Sequence, residues 1–534
     1  MSRRKFHWRG VSGYTSPAGI KFVQVENKNL SVFVPLTAFV LEVQEAKQTL
    51  AEAGLVPIGG AWNELCEDVA ALTEFPDRRI ADRSGWNGDI FAFPDGAIIA
   101  PEGAEAPALA MKPDRSRCAL AGSTEGWVDN VGTLLANQAI PMATVLMGYA
   151  SPLVEVVGRF ENFGFELVGP GGIGKTTVLR SAVSTYSGPN LPSFNTTSAG
   201  LESEMHTSNG QLLVLDEANS FYGTETPSKR GAAMKGLAFD LAIGKPKRRY
   251  LSPTPQRSSF VFLTSSNQAL ADLAGGESRH VLRAASDRLM TLRVSAERPF
   301  GVFDSVPPSF STAEEYAKAL EAACKANHGH PMRAYVQGLV NDLARDRDEV
   351  VERVQANVRL WRQRAGADLG GDGAIGRVAD AFGLLYAASV EAKRHLMLPE
   401  GWRCGAALKE VYEHIYTGPK AIRPIDDDLR SHLRQPGVRD LDVQGMRRMS
   451  DALVDATPGF LKSVQNGEVE ARLPPANVAR SLPDLIARLP SSRAGVRLNA
   501  EAGRTTNKRQ VRSLHGPERI IVLTLPPGFL QAPL

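Results

Sequence analysis

The segment GPGGIGKTT, Gly169 to Thr177, constrains the fold of this chain more than any other feature. It fits the phosphate-binding pattern of a glycine, four residues of any kind and Gly-Lys-Thr. The apolar run 163–168 predicts a strand before it, and residues 175–186 predict a helix after it. In such turns the backbone N–H groups converge on phosphate oxygens at a helix N-terminus. A purely structural glycine-rich turn is the alternative. The strand, the glycine-rich loop, the Lys-Thr pair and the helix follow one another in the expected order, however, and this order favours a nucleoside triphosphate site.

The side chains of this loop have distinct expected roles. Lys175 is predicted to reach the β- and γ-phosphates, and the Thr176 hydroxyl is predicted to bind Mg²⁺. ATP and Mg²⁺ are therefore the expected cofactors. The predicted ATP-binding residues of the loop are Gly169, Pro170, Gly171, Gly172, Ile173, Gly174, Lys175, Thr176 and Thr177.

Size and composition indicate a globular protein of several domains. At 534 residues the chain is too long for one ordinary core, and three or four domains are expected. Its 43% apolar and 22% charged residues are typical of soluble proteins. The net charge of +3 indicates no particular partner, so nucleic-acid contacts would come from local basic surfaces. Four scattered cysteines lack the spacing of a zinc or redox site, which favours reduced thiols and a cytoplasmic location.

One apolar stretch, 131–157, raises the question of a membrane span. Asn137, Gln138, Pro141 and Glu155 interrupt it, and polar groups inside a membrane are costly. Two buried helices and no membrane partner are therefore expected.

The pattern of predicted elements divides the chain into four parts. Residues 1–125 are expected to form a strand-rich N-terminal α+β domain, with a hairpin around residues 94–96. Residues 126–300 alternate strands and helices, which predicts an α/β P-loop ATPase core with a parallel sheet. Residues 301–418 show helical periodicity, and a capping box at Thr312 opens the first helix. Residues 419–534 are expected to form a smaller C-terminal module.

A pair of carboxylates follows the next apolar run of the core. The segment LLVLDE ends in Asp216 and Glu217, about forty residues after the phosphate loop. Asp216 is predicted to hold the Mg²⁺ shell, and Glu217 is predicted to orient the attacking water. Strands often end in acidic turns, but this position favours ATP hydrolysis over binding alone.

A further strand, 258–267, ends in polar residues. In ring ATPases a strand inserted between the two motif strands ends in an Asn or Ser that contacts the γ-phosphate and the lytic water. Asn267 is the candidate, with Ser266 second. The alternative is that Asn267 caps the following helix, and the two roles are compatible.

Three arginines are candidates for contacts with phosphate. Arg288 precedes the last strand of the core, and Arg283 lies a little over one helical turn earlier. An arginine finger that reaches a neighbouring subunit is worth about 10³ to 10⁵ in rate. The alternative for both is an ordinary solvated or ion-paired surface group. Arg377, in the helical region, is a candidate second phosphate sensor.

Two basic segments are candidates for DNA contact. The insertion GKPKRRY contributes Lys245, Lys247, Arg248 and Arg249, which suit a pore loop that grips a phosphate backbone. A solvated surface turn is the alternative.

The second basic segment is in the tail, where residues 479–512 contain eight Lys or Arg against two acidic residues. The order helix, short strand, basic loop 503–514 and strand 519–525 predicts a winged-helix-like module. Such modules also serve as protein–protein modules. The predicted DNA contacts of the tail are Arg504, Lys508 and Arg509.

With these residues the chain resembles the bacterial and phage P-loop ATPases of domain of unknown function 927. The resemblance rests on the segments GWNGDIFAFPDGAI, FNTTSAGLESEM, GKPKRRY, ASDRLMTLRV and GRVADAFGLLYAASVE. It spans residues 80–525 and is thin before that. Members are associated with mobile elements, and some resemble the MCM-like helicases of staphylococcal cassette elements. The resemblance implies an AAA+-like core, a helical lid and a winged helix.

These observations predict a ring-forming ATPase that moves on DNA, as a replicative helicase of a phage or mobile element. Expected partners are single-stranded or forked DNA, further copies of the chain in a ring such as a hexamer, and a primase. The rival prediction is an ATP-driven switch in anti-phage defence that senses nucleic acid and acts through a partner effector. A nucleotide-binding scaffold with little turnover is disfavoured by Glu217.

Overall fold

The chain divides into two units, residues 1–415 and 416–534. The structure is a computed structural model and describes residues 8–27, 30–57, 59–188, 190–191, 198–216, 240–244, 257–269, 287–295, 298–365, 373–417, 425–443, 449–482, 485–489, 492, 494–501, 504–513 and 516–531.

The chain begins with an antiparallel meander covered by two helices. Its elements are β1 (Gly10–Thr15), β2 (Lys21–Asn27), β3 (Leu30–Pro35), a 3₁₀ turn (Leu36–Phe39), α1 (Val43–Glu52) and α2 (Gly60–Ala70). Strand β2 pairs with both neighbours. Alternate residues Val23 and Val25 of β2 point to one face and are fully buried with Leu50 and Leu65 of the helices. A slip by one residue would turn these valines to the opposite face, so their burial against the helices specifies the register of the sheet.

Short strands connect this meander to the core. They are β4 (Ile80–Ala81), β5 (Gly85–Asn87), β6 (Ile90–Ala92), β7 (Ile98–Ile99) and β8 (Ala108–Leu109). The predicted hairpin is confirmed, since β6 and β7 pair antiparallel around residues 93–97. Gly96 has φ +90, and a Cβ there would lie 2.9 Å from the Pro113 Cβ. The turn therefore needs glycine at this position.

A parallel four-stranded sheet forms the centre of the first unit. Its strands are β9 (Phe163–Val168), β10 (Leu212–Leu215), β11 (Val261–Ser266) and β12 (Leu289–Arg293), in the order β10-β11-β9-β12. All three pairings are parallel. Strand β11 therefore lies between the strand that leads into the glycine-rich loop and the strand that ends before Asp216, as the sequence predicts.

Several helices accompany this sheet, and one of them is strongly apolar. They are α3 (Thr124–Gly126), a π-helical turn (Trp127–Gly132), α4 (Thr133–Leu135), α5 (Ala139–Val157), α6 (Lys175–Val183) and α7 (Ser198–Thr207). Helix α5 is long and apolar enough to cross a membrane, but 89% of its most apolar stretch is buried inside the protein. The two helical segments expected over 131–157 are thus present, and α5 is a core helix packed on the sheet.

A run of helices follows β12. These are α8 (Ala313–Ala326), α9 (His330–Arg345), α10 (Arg347–Arg364), α11 (Gly373–Arg394) and α12 (Cys404–Thr417). The predicted cap of α8 is confirmed, because the Thr312 hydroxyl accepts a hydrogen bond from the Glu315 N–H at 3.1 Å. Helix α11 packs on both α10 and α5, and Phe382 contacts Phe165 of β9. The helical region is therefore continuous with the core of the sheet domain.

A charge network holds three of these helices together. Glu391 of α11 is fully buried and makes a two-point hydrogen-bonded pair with Arg353 of α10 at 2.8 and 3.0 Å. Asp342 of α9 accepts from Arg353, and it also faces Arg394 and His395. The arginines already compensate the negative charge of the two carboxylates. This compensation disfavours a metal ion at the Asp342–Glu391–His395 cluster.

The second unit is built on a mixed sheet of six described strands. Its elements are α13 (Ile425–Leu433), β13 (Arg439–Asp440), α14 (Asp451–Ala456), β14 (Phe460–Ser463), β15 (Val469–Leu473), α15 (Pro475–Ser481), α16 (Leu485–Arg488), β16 (Arg497–Leu498), β17 (Asn507–Ser513) and β18 (Gly516–Leu525). The order is β13-β14-β15-β18-β16, and β17 also pairs with β18.

The prediction of a basic loop over residues 503–514 is wrong for most of these residues. Residues Asn507–Ser513 form β17, and Asn507 and Lys508 pair antiparallel with Ile520 and Arg519 of β18. Strand β18 supplies the ladder of hydrogen bonds that the polar segment itself does not predict.

Candidate functional site

The glycine-rich loop joins β9 to α6 at the carboxyl edge of the parallel sheet. Gly172 and Gly174 have φ of +79 and +92, a region that favours glycine. A Cβ on Gly169 would lie 2.7 Å from the Val294 carbonyl oxygen at the end of β12. These constraints explain the glycines of the motif, because the loop must turn sharply while packed against a neighbouring strand.

Lys175, the first residue of α6, is folded back into this loop. Its Nζ donates hydrogen bonds to the carbonyl oxygens of Gly169 at 2.6 Å and Pro170 at 2.8 Å. It also donates to the Asn267 side-chain oxygen at 3.2 Å. The residue is 9% exposed, so its charge is held at the mouth of the loop by oxygen acceptors.

Asp216 lies beside the first turn of α6. Its Oδ2 accepts a hydrogen bond from the Thr176 hydroxyl at 3.2 Å, and its Oδ1 accepts from the Ser265 hydroxyl. One carboxylate and two hydroxyls therefore meet within one cluster. Oxygen donors of this kind are the ligands that Mg²⁺ prefers, so Thr176 and Asp216 fit the predicted metal role chemically.

Asn267 and Ser266, the two candidates for contact with the γ-phosphate and the lytic water, lie at the end of strand β11 and have different partners. Asn267 faces Lys175. The Ser266 hydroxyl instead has two acceptors for its single proton, Glu166 Oε1 at 2.9 Å and the Gln268 carbonyl oxygen at 2.7 Å. The residue is 3% exposed. Ser266 is thus held inside the sheet, and the geometry favours Asn267 of the two.

These side chains line one cavity of about 940 Å³, within the range of small-ligand sites. Its walls include residues 171–177, Asp216 and residues 265–267. The lining also includes residues 298–301 and Phe303, in a segment that the sequence does not single out, and the start of α8. The cavity is large enough for a nucleotide.

Thr177, predicted to bind ATP, has its side chain turned to a neighbouring helix. The hydroxyl donates to Glu321 Oε1 of α8 at 2.7 Å, and Glu321 also pairs with Arg180 at 2.9 Å. Any contact of Thr177 with a phosphate would therefore come from its backbone N–H.

Arg288 lies at the other edge of the sheet. Its carbonyl oxygen accepts from the Gly164 N–H at 2.8 Å, and Gly164 lies five residues before Gly169, about 16 Å along an extended strand. Its guanidinium pairs with Glu161 at 2.9 Å. In its own subunit Arg288 is therefore remote from the phosphate loop.

Arg377 lies at the same remote edge. Its Nη2 donates to Asp287 Oδ2 at 2.9 Å, next to Arg288 in the sequence, and its side chain is 45% exposed. Within the chain, Arg377 is therefore on the side of the sheet that is remote from the phosphate loop. The ion pair with Asp287 joins Arg377 to the neighbourhood of Arg288.

Several predicted residues fall outside the part of the chain that the structure describes. These are Glu217, Arg283, Lys245, Lys247, Arg248 and Arg249.

The predicted DNA contacts of the tail lie on or beside β17. Arg504 and Lys508 are exposed, and nothing is described for the side chain of Arg509 in the same strand. Arg519 of β18 pairs with Glu501 at 2.8 Å. Of the three predicted DNA contacts in the tail, Arg504 and Lys508 thus have side chains that face solvent.

Three residues of the site escape the sequence motifs. Ser265 and Glu166 sit in strands whose apolar neighbours dominate the pattern, although both are polar and nearly or fully buried. Arg298 lies between β12 and α8 in a stretch with no periodicity. A polar residue inside an otherwise apolar strand was the available signal for the first two.

Comparison with known proteins gives one family and one fold. Residues 11–250 match the family model described as Domain of unknown function (DUF927), so the likeness begins earlier than the predicted residue 80. No curated protein sequence matches the chain.

A solved structure described as SCCmec type IV Cch, an active helicase, matches with a TM-score of 0.58 and 14% identity over 98% of this chain and 94% of that chain. The apo structure of the NrS-1 C-terminal region aligns over 59% of this chain and 65% of that chain, at 10% identity and a TM-score of 0.22. The α/β NTPase-like core is confirmed as a fold. Residues 11–250 thus resemble the DUF927 family, and the chain is similar in fold to the SCCmec helicase.

Proposed function

We propose that this chain is an ATP-hydrolysing motor that moves on DNA, as a replicative helicase of a phage or mobile element. The observation that carries the proposal is the meeting of Lys175, Thr176, Asp216 and Asn267 around one cavity at the carboxyl edge of a parallel sheet. Ligands of such sheets bind at this edge. The fold shared with a helicase supports the choice of motor.

The chemistry proposed for the site is hydrolysis of the γ-phosphate. Lys175 would exchange its carbonyl partners for β- and γ-phosphate oxygens, and Thr176 and Asp216 would hold Mg²⁺. The ion would neutralise charge on the phosphates when bound. Asn267 would orient the attacking water, and Glu217, directly after Asp216, would polarise it.

The proposed assembly is a ring in which neighbouring subunits complete each other's sites. Arg288 is about 16 Å from its own phosphate loop along β9, so a role at a γ-phosphate requires a second copy of the chain. Arg377 and Asp287 lie beside it and belong to the same proposed surface. Arg283 is a further candidate for this surface.

The proposed DNA contacts are basic and lie in two places. Lys245, Lys247, Arg248 and Arg249 would line the pore of the ring and follow the phosphate backbone. In the C-terminal unit, the β17–β18 hairpin with Arg504, Lys508 and Arg509 would act as the wing of a winged-helix-like module.

ATPase assays with and without single-stranded and forked DNA test this function, run beside a mass measurement in ATP. DNA-stimulated hydrolysis with strand displacement is expected. Neutralising Lys247, Arg248 and Arg249 together should abolish the stimulation and spare the basal rate. An equal fall of both rates would contradict the pore assignment, and stimulation without unwinding would favour the nucleic-acid-sensing switch.

A further inference from the structure

The segment Arg298–Asp304 forms a strap across the phosphate loop. The Val302 N–H donates to the Ile173 carbonyl oxygen at 3.0 Å. Gly301, at φ +62, approaches the same carbonyl so closely that a Cβ there would collide with it. The strap is thus built against the loop that the triphosphate would occupy, and its position is fixed by the backbone of that loop.

Arg298 is the first residue of this strap and lines the cavity. Its Nη2 donates to Asp304 Oδ1 at 2.5 Å and to the Phe303 carbonyl oxygen at 3.2 Å. The side chain is 26% exposed. Both bonds use the same nitrogen, so Nε and Nη1 have no acceptor among the described residues. An arginine carries five N–H donors, and most of these remain for a ligand.

Asp304, the partner of Arg298, is itself held by the start of α5. Its Oδ2 accepts from the Ala139 N–H at 2.5 Å, and its own N–H donates to the Gln138 side-chain oxygen at 2.8 Å. The first bond holds the carboxylate, and the second holds the backbone of Asp304. The carboxylate in turn fixes one edge of the Arg298 guanidinium.

We propose that Arg298 binds the phosphate chain of the nucleotide in its own subunit, through Nε and Nη1, while Asp304 holds it in position. The inference rests on the proposed function, since it names a second cation for the same triphosphate. Together Lys175 and Arg298 place positive charge on two walls of the cavity. Hydrogen bonds between charged partners are about twice as strong as neutral ones, and the planar fork of arginine suits phosphate oxygens.

Nucleotide binding to the full chain tests this inference. Arg298→Ala should weaken the affinity for MgATP by about tenfold or more, the range expected for a hydrogen bond between charged groups. The loss for AMP should be much smaller, because AMP lacks the β- and γ-phosphates. If Arg298→Ala does not fold, Arg298→Gln removes the charge and keeps a polar side chain. Arg362→Ala breaks a similarly exposed ion pair, with Asp380 at 3.0 Å, and should leave both affinities unchanged.

A double-mutant cycle tests the positioning role of Asp304. Asp304→Asn keeps an acceptor for the Ala139 N–H and weakens the pair with Arg298, so MgATP affinity should fall by several fold. In the Arg298→Ala background the same change should have no further effect. Non-additivity of this kind is the signature of residues that act through each other.

The possible outcomes distinguish a failure of the proposed function from a failure of the role of Arg298. Absence of MgATP binding by the wild-type chain would overturn both the proposed function and the role of Arg298. Wild-type binding with unchanged affinity in the Arg298 variants would overturn the role of Arg298 alone. An equal loss for ATP and AMP would also overturn it, because the arginine would then shape the cavity and not bind the phosphate chain.

Discussion

The Thr176 hydroxyl donates a hydrogen bond to Asp216 Oδ2 at 3.2 Å, although 40 residues separate them. The contact exists because β10 and β9 both end at the carboxyl edge of one sheet, with β11 between them. It brings a hydroxyl and a carboxylate to the mouth of the phosphate loop. A metal ion that contacts both would also contact the phosphates held by the loop.

Removal of the Asp216 carboxylate should therefore separate hydrolysis from binding. We expect Asp216→Asn to lower kcat for ATP by about 100-fold or more, because metal stabilisation of phosphate charge is worth several kcal/mol. Nucleotide affinity measured without Mg²⁺ should change little. Asp380→Asn, on the surface of α11, is the control. A variant with the Mg²⁺ titration of the wild type would exclude Asp216 from the metal site.

The two roles left open for Asn267 differ in what they predict. If Asn267 orients the lytic water, Asn267→Ala should lower kcat by about 10- to 100-fold with a similar KM. If it only caps the following helix, the change should lower the free energy of unfolding by about 0.5–2 kcal/mol and leave kcat unchanged. Steady-state kinetics and urea unfolding of one variant decide between them, and we expect the first result.

The buried carboxylate of Glu166 should stabilise the strand that carries Asn267. It is fully buried and accepts from Ser266 at 2.9 Å and from Thr291 at 3.5 Å. Glu166→Ala would remove both contacts and leave a cavity at a fully buried position, although Ser266 keeps the Gln268 carbonyl as an acceptor. A change of this kind costs about 0.5–3 kcal/mol. We expect a lower Tm together with a lower kcat. Thr291→Val loses only the longer contact and should change both quantities less.

Mixing two inactive variants tests whether Arg288 acts on a neighbouring subunit. Arg288→Ala keeps the Lys175 loop, and Lys175→Ala keeps Arg288, so each alone should be inactive in hydrolysis. In mixed rings an intact loop meets an intact Arg288 at some interfaces. We expect the mixture to recover hydrolysis, whereas a mixture that stays inactive would contradict a role of Arg288 at a neighbouring subunit's site.

The local parts of the site follow from the sequence, since they lie within a few residues of one another. The strand, glycine-rich loop and helix around Lys175 and the strand before Asp216 were predicted from apolar runs and turn residues. Even the placement of β11 between the two motif strands is confirmed.

Residues that depend on distant packing were missed or misplaced. Arg377, a candidate second phosphate sensor, pairs with Asp287, 90 residues away in the sequence, and sequence reasoning did not predict this contact. Arg298 belongs to a strap whose conformation is set by contacts with Ile173, and no periodic pattern reveals such a contact. Strand β17 was predicted as a loop because its ladder is supplied by β18.

We propose that the Lys175 loop holds a triphosphate that is cleaved beside Asp216. The most direct test of this proposal is calorimetric titration of the full chain with MgATP, followed by phosphate release, for the wild type and Lys175→Ala. The account predicts that the wild type binds and hydrolyses ATP and that the variant, folded by its unfolding curve, does neither. Equal binding and turnover by the two proteins would contradict it.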